Sequence, residues 1–95
     1  MPRNRNKTYE ENRISRIRVY GIDVPDYERM LKEQNGGCYI CGKKPDKRAL
    51  DIDHDHKTGK VRGLLCSNHN RAIGLLNDDI TTLAKAIQYL ARDND

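Results

Sequence analysis

Four residues of this sequence have the types and spacing of a tetrahedral metal site. Cys38 and Cys41 are separated by two residues, as are Cys66 and His69, and 24 residues lie between the pairs. Each short turn sets two ligands on one side of the backbone, at about 2.0–2.3 Å from a zinc ion, and two such turns complete the shell. A lone CxxC could be a redox pair. No thioredoxin-like βαβ pattern surrounds this one, and the second pair fits only a metal. Structural zinc on Cys38, Cys41, Cys66 and His69 is therefore expected. His69 is the softest of the four, because a helix-borne histidine can also be an exposed polar residue.

The two pairs bracket a second group, Asp51-Ile52-Asp53-His54-Asp55-His56. Asp53 is a hard oxygen donor suited to Mg²⁺. Imidazole titrates in the neutral range, so a histidine such as His54 can take a proton from water. Asn70, one residue beyond His69, offers a second hard oxygen at the start of a helix. Strand alternation would send Asp53 and His54 to opposite faces. They can converge only where the strand ends and turns. Two other readings of these residues stand beside catalysis: an exposed polar hairpin, and a second transition-metal site built from His54 and His56.

Composition says why metal is needed at all. The chain has 95 residues, no Trp, no Phe, and only 36% hydrophobic residues. One thin domain of this kind buries too little apolar surface to offset its ordering entropy without a staple. Three cysteines cannot close a disulfide set, which again favours metal. Charge is uneven: Arg3, Arg5, Lys7, Arg13, Arg16 and Arg18 against Glu10 and Glu11 give the first twenty residues the whole of the chain's net +4. A basic arm over residues 1–19, on a neutral body over 20–95, suits a polyanion such as DNA. A solvated tail would look the same from charge alone. No apolar signal segment or membrane span is seen, so a reduced intracellular setting is expected, with no membrane partner.

The elements that must position these residues follow from periodicity. The first part of the arm has no apolar pattern and is expected to be disordered when free. Residues 17–22 form a short lead-in ending at Gly21. A helix starts at Val24-Pro25-Asp26, carries Tyr27, Met30 and Leu31 on one face, and stops at Asn35-Gly36-Gly37. A knuckle turn at 38–42 and a polar loop follow. Residues 49–56 and 61–66 are expected as two strands joined by a turn at 57–60. Ser67 opens a helix, and Asp78-Asp79 a last one with an apolar stripe of Leu83, Ala86, Ile87, Leu90 and Ala91.

The run CYICGKKPDKRALDIDHDHKTGKVRGLLCSNHNRAIGLLNDD, with the preceding YGIDVPDYERMLKEQNGG, closely resembles the recombination endonuclease VII family of phage nucleases. That family is part of the His-Me finger, or HNH-like, group. The resemblance covers roughly residues 20–91. It implies a small α+β fold with a ββα-metal hairpin–helix core, flanked by helices and held by structural zinc. It implies metal-dependent cleavage of DNA phosphodiester bonds leaving 5′-phosphate and 3′-hydroxyl ends. His54 would be the general base, Asp53 and Asn70 the ligands of a catalytic Mg²⁺ or Mn²⁺. Lys60 and Arg62 are candidates, with the arm residues, to hold DNA phosphates, and Asp55 and His56 are possible auxiliaries. The noncatalytic alternative is a zinc knuckle that binds nucleic acid without cutting it.

The chain departs from the family in two respects. The fourth zinc ligand is usually Cys where His69 stands here, which makes the site one charge less negative. Junction-resolving members carry a long helical C-terminal extension that builds an intertwined dimer. Here the sequence stops soon after the last helix, so nicking or nonspecific cleavage by a monomer or weak homodimer is expected, in a host cytoplasm if the protein is phage-encoded.

Overall fold

The structure, a computed structural model, describes residues 17–92. Arg3, Arg5, Lys7, Arg13 and Arg16, and the disorder expected of the first residues, lie outside that range. Residues 17–19 are helical and end at Gly21, whose φ of 79° reverses the chain. Ile17, on the arm side of the boundary drawn from charge, is buried in the core.

Helix α1, Val24–Glu33, begins where the sequence signals it. Asp23 accepts from the Asp26 backbone N–H at 3.1 Å, and Asp26 accepts from that of Asp23 at 3.1 Å. This reciprocal box satisfies two of the orphan donors that every helix start leaves. The helix ends as Asn35 and Gly36 turn left-handed, and Gly36 N–H closes on the Leu31 carbonyl at 2.8 Å. It buries Tyr27, whose hydroxyl donates to the Leu50 carbonyl at 2.8 Å just before the first strand.

Strands β1, Asp51–His54, and β2, Val61–Leu65, form a two-stranded antiparallel sheet. The first strand is shorter than the expected 49–56. Past His54 the chain closes the hairpin: Asp55 N–H donates to the Lys60 carbonyl at 2.7 Å, and its carboxylate accepts from the backbone of Lys57 at 2.7 Å and Thr58 at 3.2 Å, building the turn. Helix α2, Ser67–Leu75, follows at once, and helix α3, Ile80–Ala91, is capped by Asp79. The architecture is thus small α+β, with a hairpin carrying helices before and after it.

The core is slight: Ile17, Tyr27, Cys38, Leu50, Leu64 and Leu65 are buried, and Ile22, Val24, Met30, Leu31, Ile52 and Ile73 pack round them. Helix α3 buries no residue, and Ile80, Ile87 and Leu90 are exposed. No helix of the described residues is long and apolar enough to cross a membrane.

Candidate functional site

The four expected zinc ligands come together. One ligand atom from each of Cys38, Cys41, Cys66 and His69 lies within 4.8 Å of every other, near enough for one ion to gather four donors at about 2.0–2.3 Å. Cys66 Sγ and His69 Nδ1 are 3.1 Å apart. Cys66 is also the N-cap residue of α2, yet its side chain makes no capping bond. The thiol faces the cluster rather than the helix.

Local backbone makes the knuckle possible. A side chain on Gly37 would run into the Gly42 carbonyl, so only glycine lets the turn close. Cys38 N–H donates to the Lys43 carbonyl at 3.0 Å, and Gly42 N–H to the Cys38 carbonyl at 2.8 Å. Burial pushes the Cys38 thiol up, but backbone N–H groups of Cys41, Cys66 and Ile40 outweigh it and bring the pKa down to about 6. Those same donors favour a thiolate, the form a metal binds. Cys41 is raised: the neighbouring sulfurs and desolvation outweigh the Lys43 amide that lowers it. Two thiols ionising beside each other repel, which a cation between them would relieve.

The knuckle is tied to the hairpin by Gln34, at the end of α1. Its amide nitrogen donates to the carbonyls of Gly37 at 2.8 Å and Leu64 at 2.9 Å, and its oxygen accepts from Leu64 N–H at 3.0 Å. Tyr39 N–H donates to the same Leu64 carbonyl at 3.0 Å. Sequence periodicity could not flag Gln34, since an exposed-looking glutamine at a helix end has no distinguishing pattern.

On the hairpin the alternation fails at the informative place. Asp53 pairs with Gly63 but His54 pairs with Val61, so Arg62 is an extra residue and the ladder bulges there. Bulges re-aim side chains. Arg62 folds back onto Asp53, with Nε donating to Oδ2 at 2.7 Å and an Nη to Oδ1 at 3.0 Å. Asp53 is only 8% exposed, so this fork satisfies a carboxylate that would be costly to bury alone. The Asp53 hydrogen bonds, set against a smaller desolvation effect, raise Arg62 above the usual guanidinium range. The same guanidinium also reaches Asp78 Oδ2 at 3.3 Å.

His54 has aromatic neighbours on two sides. Its ring centroid is 5.2 Å from that of Tyr20 and 4.7 Å from that of His56. His56 Nε2 is in turn 3.6 Å from Asp78 Oδ2. A chain of contacts therefore runs from Asp53 through Arg62, Asp78 and His56 to His54. His56, Arg62 and Asp78 line a groove of about 600 Å³. Neither Tyr20 nor Asp78 was singled out by its residue type.

Asn70 stands in the first turn of α2, its N–H donating to the Cys66 carbonyl at 2.9 Å. Its amide nitrogen faces Asp51 Oδ2 at 3.5 Å, in a hollow of about 300 Å³ shared with Tyr20 and Ile52. The nearest polar partner of Asn70 is thus Asp51, while Asp53 is held by Arg62. Asp55 is spent on the turn, whose backbone N–H groups from Lys57 and Thr58 hold its carboxyl below the usual range. Lys60 and Arg18 are exposed.

Three thiols and an imidazole in one cluster suit zinc. Asp53 and Asn70, the expected ligands of a catalytic cation, have different partners: Arg62 for the one and Asp51 for the other. At Asp53 a positive group already stands against the carboxylate, so the position favours positive charge. A cation there would have to displace Arg62.

The sequence model of the family described as recombination endonuclease VII matches residues 12–92. The Gene 59 protein of Mycobacterium phage D29 is 46% identical over 90 residues, covering 93% of this chain and 53% of the relative. The Gene 59 protein of Mycobacterium phage L5 is 43% identical over 88 residues, covering 90% of this chain and 52% of the relative. The chain spans about half the length of these relatives.

Proposed function

The chain belongs to the recombination endonuclease VII family, and we propose that it is a phage-encoded endodeoxyribonuclease of the HNH, or His-Me finger, type. In this reading β1, β2 and α2 form a ββα-metal unit, and zinc on Cys38, Cys41, Cys66 and His69 is its structural staple. The observation that carries the reading is the contact chain linking buried Asp53 to His54, set on a hairpin flanked by the two zinc-ligand pairs.

His54 is the general base. It takes a proton from a water molecule placed in line with a phosphorus atom; the water oxygen bonds to phosphorus, the P–O3′ bond breaks, and O3′ takes a proton from solvent, leaving a 5′-phosphate and a 3′-hydroxyl. Asp53 and Asn70 hold Mg²⁺ or Mn²⁺, which supplies positive charge against the phosphate oxygens when bound. Arg62 and Lys60 bind the scissile or flanking phosphate, Arg62 once it has left Asp53. Tyr20 and His56 restrict the His54 ring by packing against it. The basic arm, Arg3 to Arg18, adds affinity along the DNA backbone.

The noncatalytic knuckle has a weaker claim, because it leaves the stacked His54–His56 pair, tied to Asp78, without a task. The protein would act in the host cell, as a monomer or weak homodimer. The test is a plasmid assay with zinc-loaded chain. Supercoiled DNA should become open-circular or linear with added Mg²⁺ or Mn²⁺ and persist without it. Persistence with either cation, while the protein still binds DNA, would leave the binding module as the answer.

A further inference from the structure

Asp78 is the point at which two lines of contact meet. One Oδ2 atom lies 3.3 Å from the Arg62 guanidinium and 3.6 Å from His56 Nε2. Arg62 is the fork on Asp53, and His56 is the edge-on neighbour of His54. The Asp78 side chain is 17% exposed, although it sits in a turn between two helices.

The backbone of that turn is unfavourable. Asn77 and Asp78 have φ of 59° and 54°, two successive residues with a Cβ in the left-handed region. Asn and Asp tolerate that region better than other residues, but glycine tolerates it best. The turn's own hydrogen bonds, Asn77 N–H to the Gly74 carbonyl and Asp78 N–H to that of Ile73, both 2.9 Å, use backbone atoms alone. Capping of α3 is done by Asp79, which accepts from Thr81 N–H at 3.2 Å and the Thr82 hydroxyl at 2.7 Å. Neither the turn nor the helix therefore needs a carboxylate at position 78. Backbone strain kept where glycine would relieve it points to a side chain with work elsewhere.

We propose that Asp78 is a positioning residue: its carboxylate holds Arg62 and His56, and through them sets Asp53 and His54. This rests on the nuclease reading for what the positioning serves. When Arg62 leaves Asp53, Asp78 is the anion that keeps the guanidinium beside the site. The same carboxylate stands against His56 Nε2 and so limits the orientation of the ring that His54 packs against.

Two variants of the full zinc-loaded chain test it. Asp78→Asn keeps a residue that accepts the left-handed turn and removes the charge. Asp78→Gly also removes the strain. Both should retain zinc, and Asp78→Gly should melt at or above the parental temperature. Turnover at saturating plasmid should fall tenfold or more in both, with the half-saturating DNA concentration unchanged or lower. The imidazole ¹⁵N signals of His56 and, through it, His54 should shift without DNA present. Parental turnover in both variants, or His54 signals that stay in place, would overturn the proposal while leaving the nuclease reading intact. If the parent does not cleave, the nuclease reading falls, and the His54 signals alone decide whether Asp78 orients the ring.

Discussion

Replacing Arg62 by Gln should tighten divalent-cation binding while weakening the fold. The Arg62 fork on Asp53, at 2.7 and 3.0 Å, puts opposite charges about 4 Å apart, worth ~4 kcal/mol at an effective dielectric of about 20. The Arg62 side chain is 36% exposed, so water screens the pair and the net figure is nearer ~1–2 kcal/mol. A cation on Asp53 must overcome that amount, and Asp78 returns only part of it to the displaced guanidinium. Removing the competitor should therefore tighten Mn²⁺ binding by at most about 5–30-fold, at 1.4 kcal/mol per factor of ten.

Without the ion, the variant leaves a buried carboxylate short of a partner, at a cost of about 1–3 kcal/mol. Saturating Mn²⁺ should recover most of that, since an ion at about 100 times its Kd adds ~2.7 kcal/mol. The assay is Mn²⁺ titration by electron paramagnetic resonance on zinc-loaded protein without DNA, with melting curves in parallel. Asp53→Asn is the control that should lose the site. Equal Mn²⁺ affinity and an equal melting rise in parent and Arg62→Gln would refute the reasoning. Asp53 would then be the counter-ion of Arg62 and not a cation ligand.

Cys66→Ala should yield a largely unfolded chain, while the parent carries about one zinc per chain; circular dichroism after zinc removal gives the same answer, and an unchanged spectrum would contradict it. Gly37→Ala drives a methyl group into the Gly42 carbonyl, so it should cost about 1–3 kcal/mol and release zinc more readily to a chelator; a parental melting temperature would show that the knuckle relaxes freely. His54→Ala should abolish cleavage with zinc content and DNA binding close to parental, measured by plasmid conversion and by fluorescence anisotropy. Parental turnover in that variant would move the general base to another group.

How much of this was legible beforehand depends on the kind of interaction. The Cys38, Cys41, Cys66 and His69 cluster is legible because tetrahedral metal chemistry requires fixed residue types at short fixed spacings, and the four side chains meet as that spacing demands. Helix α1 is legible because Pro25, Asp26 and Gly36 act through local backbone rules, whereas the Asp23 half of its capping box appears only in the structure. Strand β1 is shorter than alternation suggests because the turn begins at Asp55, whose carboxylate accepts the amides of Lys57 and Thr58, a local bonding option that alternation does not weigh. The bulge at Asp53 and His54 was out of reach, since it depends on register across the hairpin. So was Asp78, which touches Arg62 sixteen positions away. An Asn-Asp pair between two helical patterns does hint at a left-handed turn. It says nothing of where the carboxylate points.

The distribution of ties explains how so slight a core can hold a defined site. Apolar packing fixes only the centre of the molecule, at Leu64, Leu50 and Ile17. Beyond it the hairpin is held at three places by directional bonds. Tyr27 holds the entrance of β1 through the Leu50 carbonyl, and Gln34 holds both backbone groups of Leu64 on β2. The Cys66–His69 turn fixes the exit into α2. Each of these bonds contributes on the order of 1 kcal/mol, yet breaking one leaves a buried polar group unpaired at a larger cost. Their value is therefore in geometry more than in stability. What they leave free is the far end of the hairpin, where His54, His56 and Arg62 extend past the core. There the strained Asn77–Asp78 turn supplies the remaining anchor, from the opposite side. A site fixed in this way has one end set by the Cys3His cluster and hydrogen bonds and the other by charge, so salt should loosen the His54 end before it loosens the cysteine end.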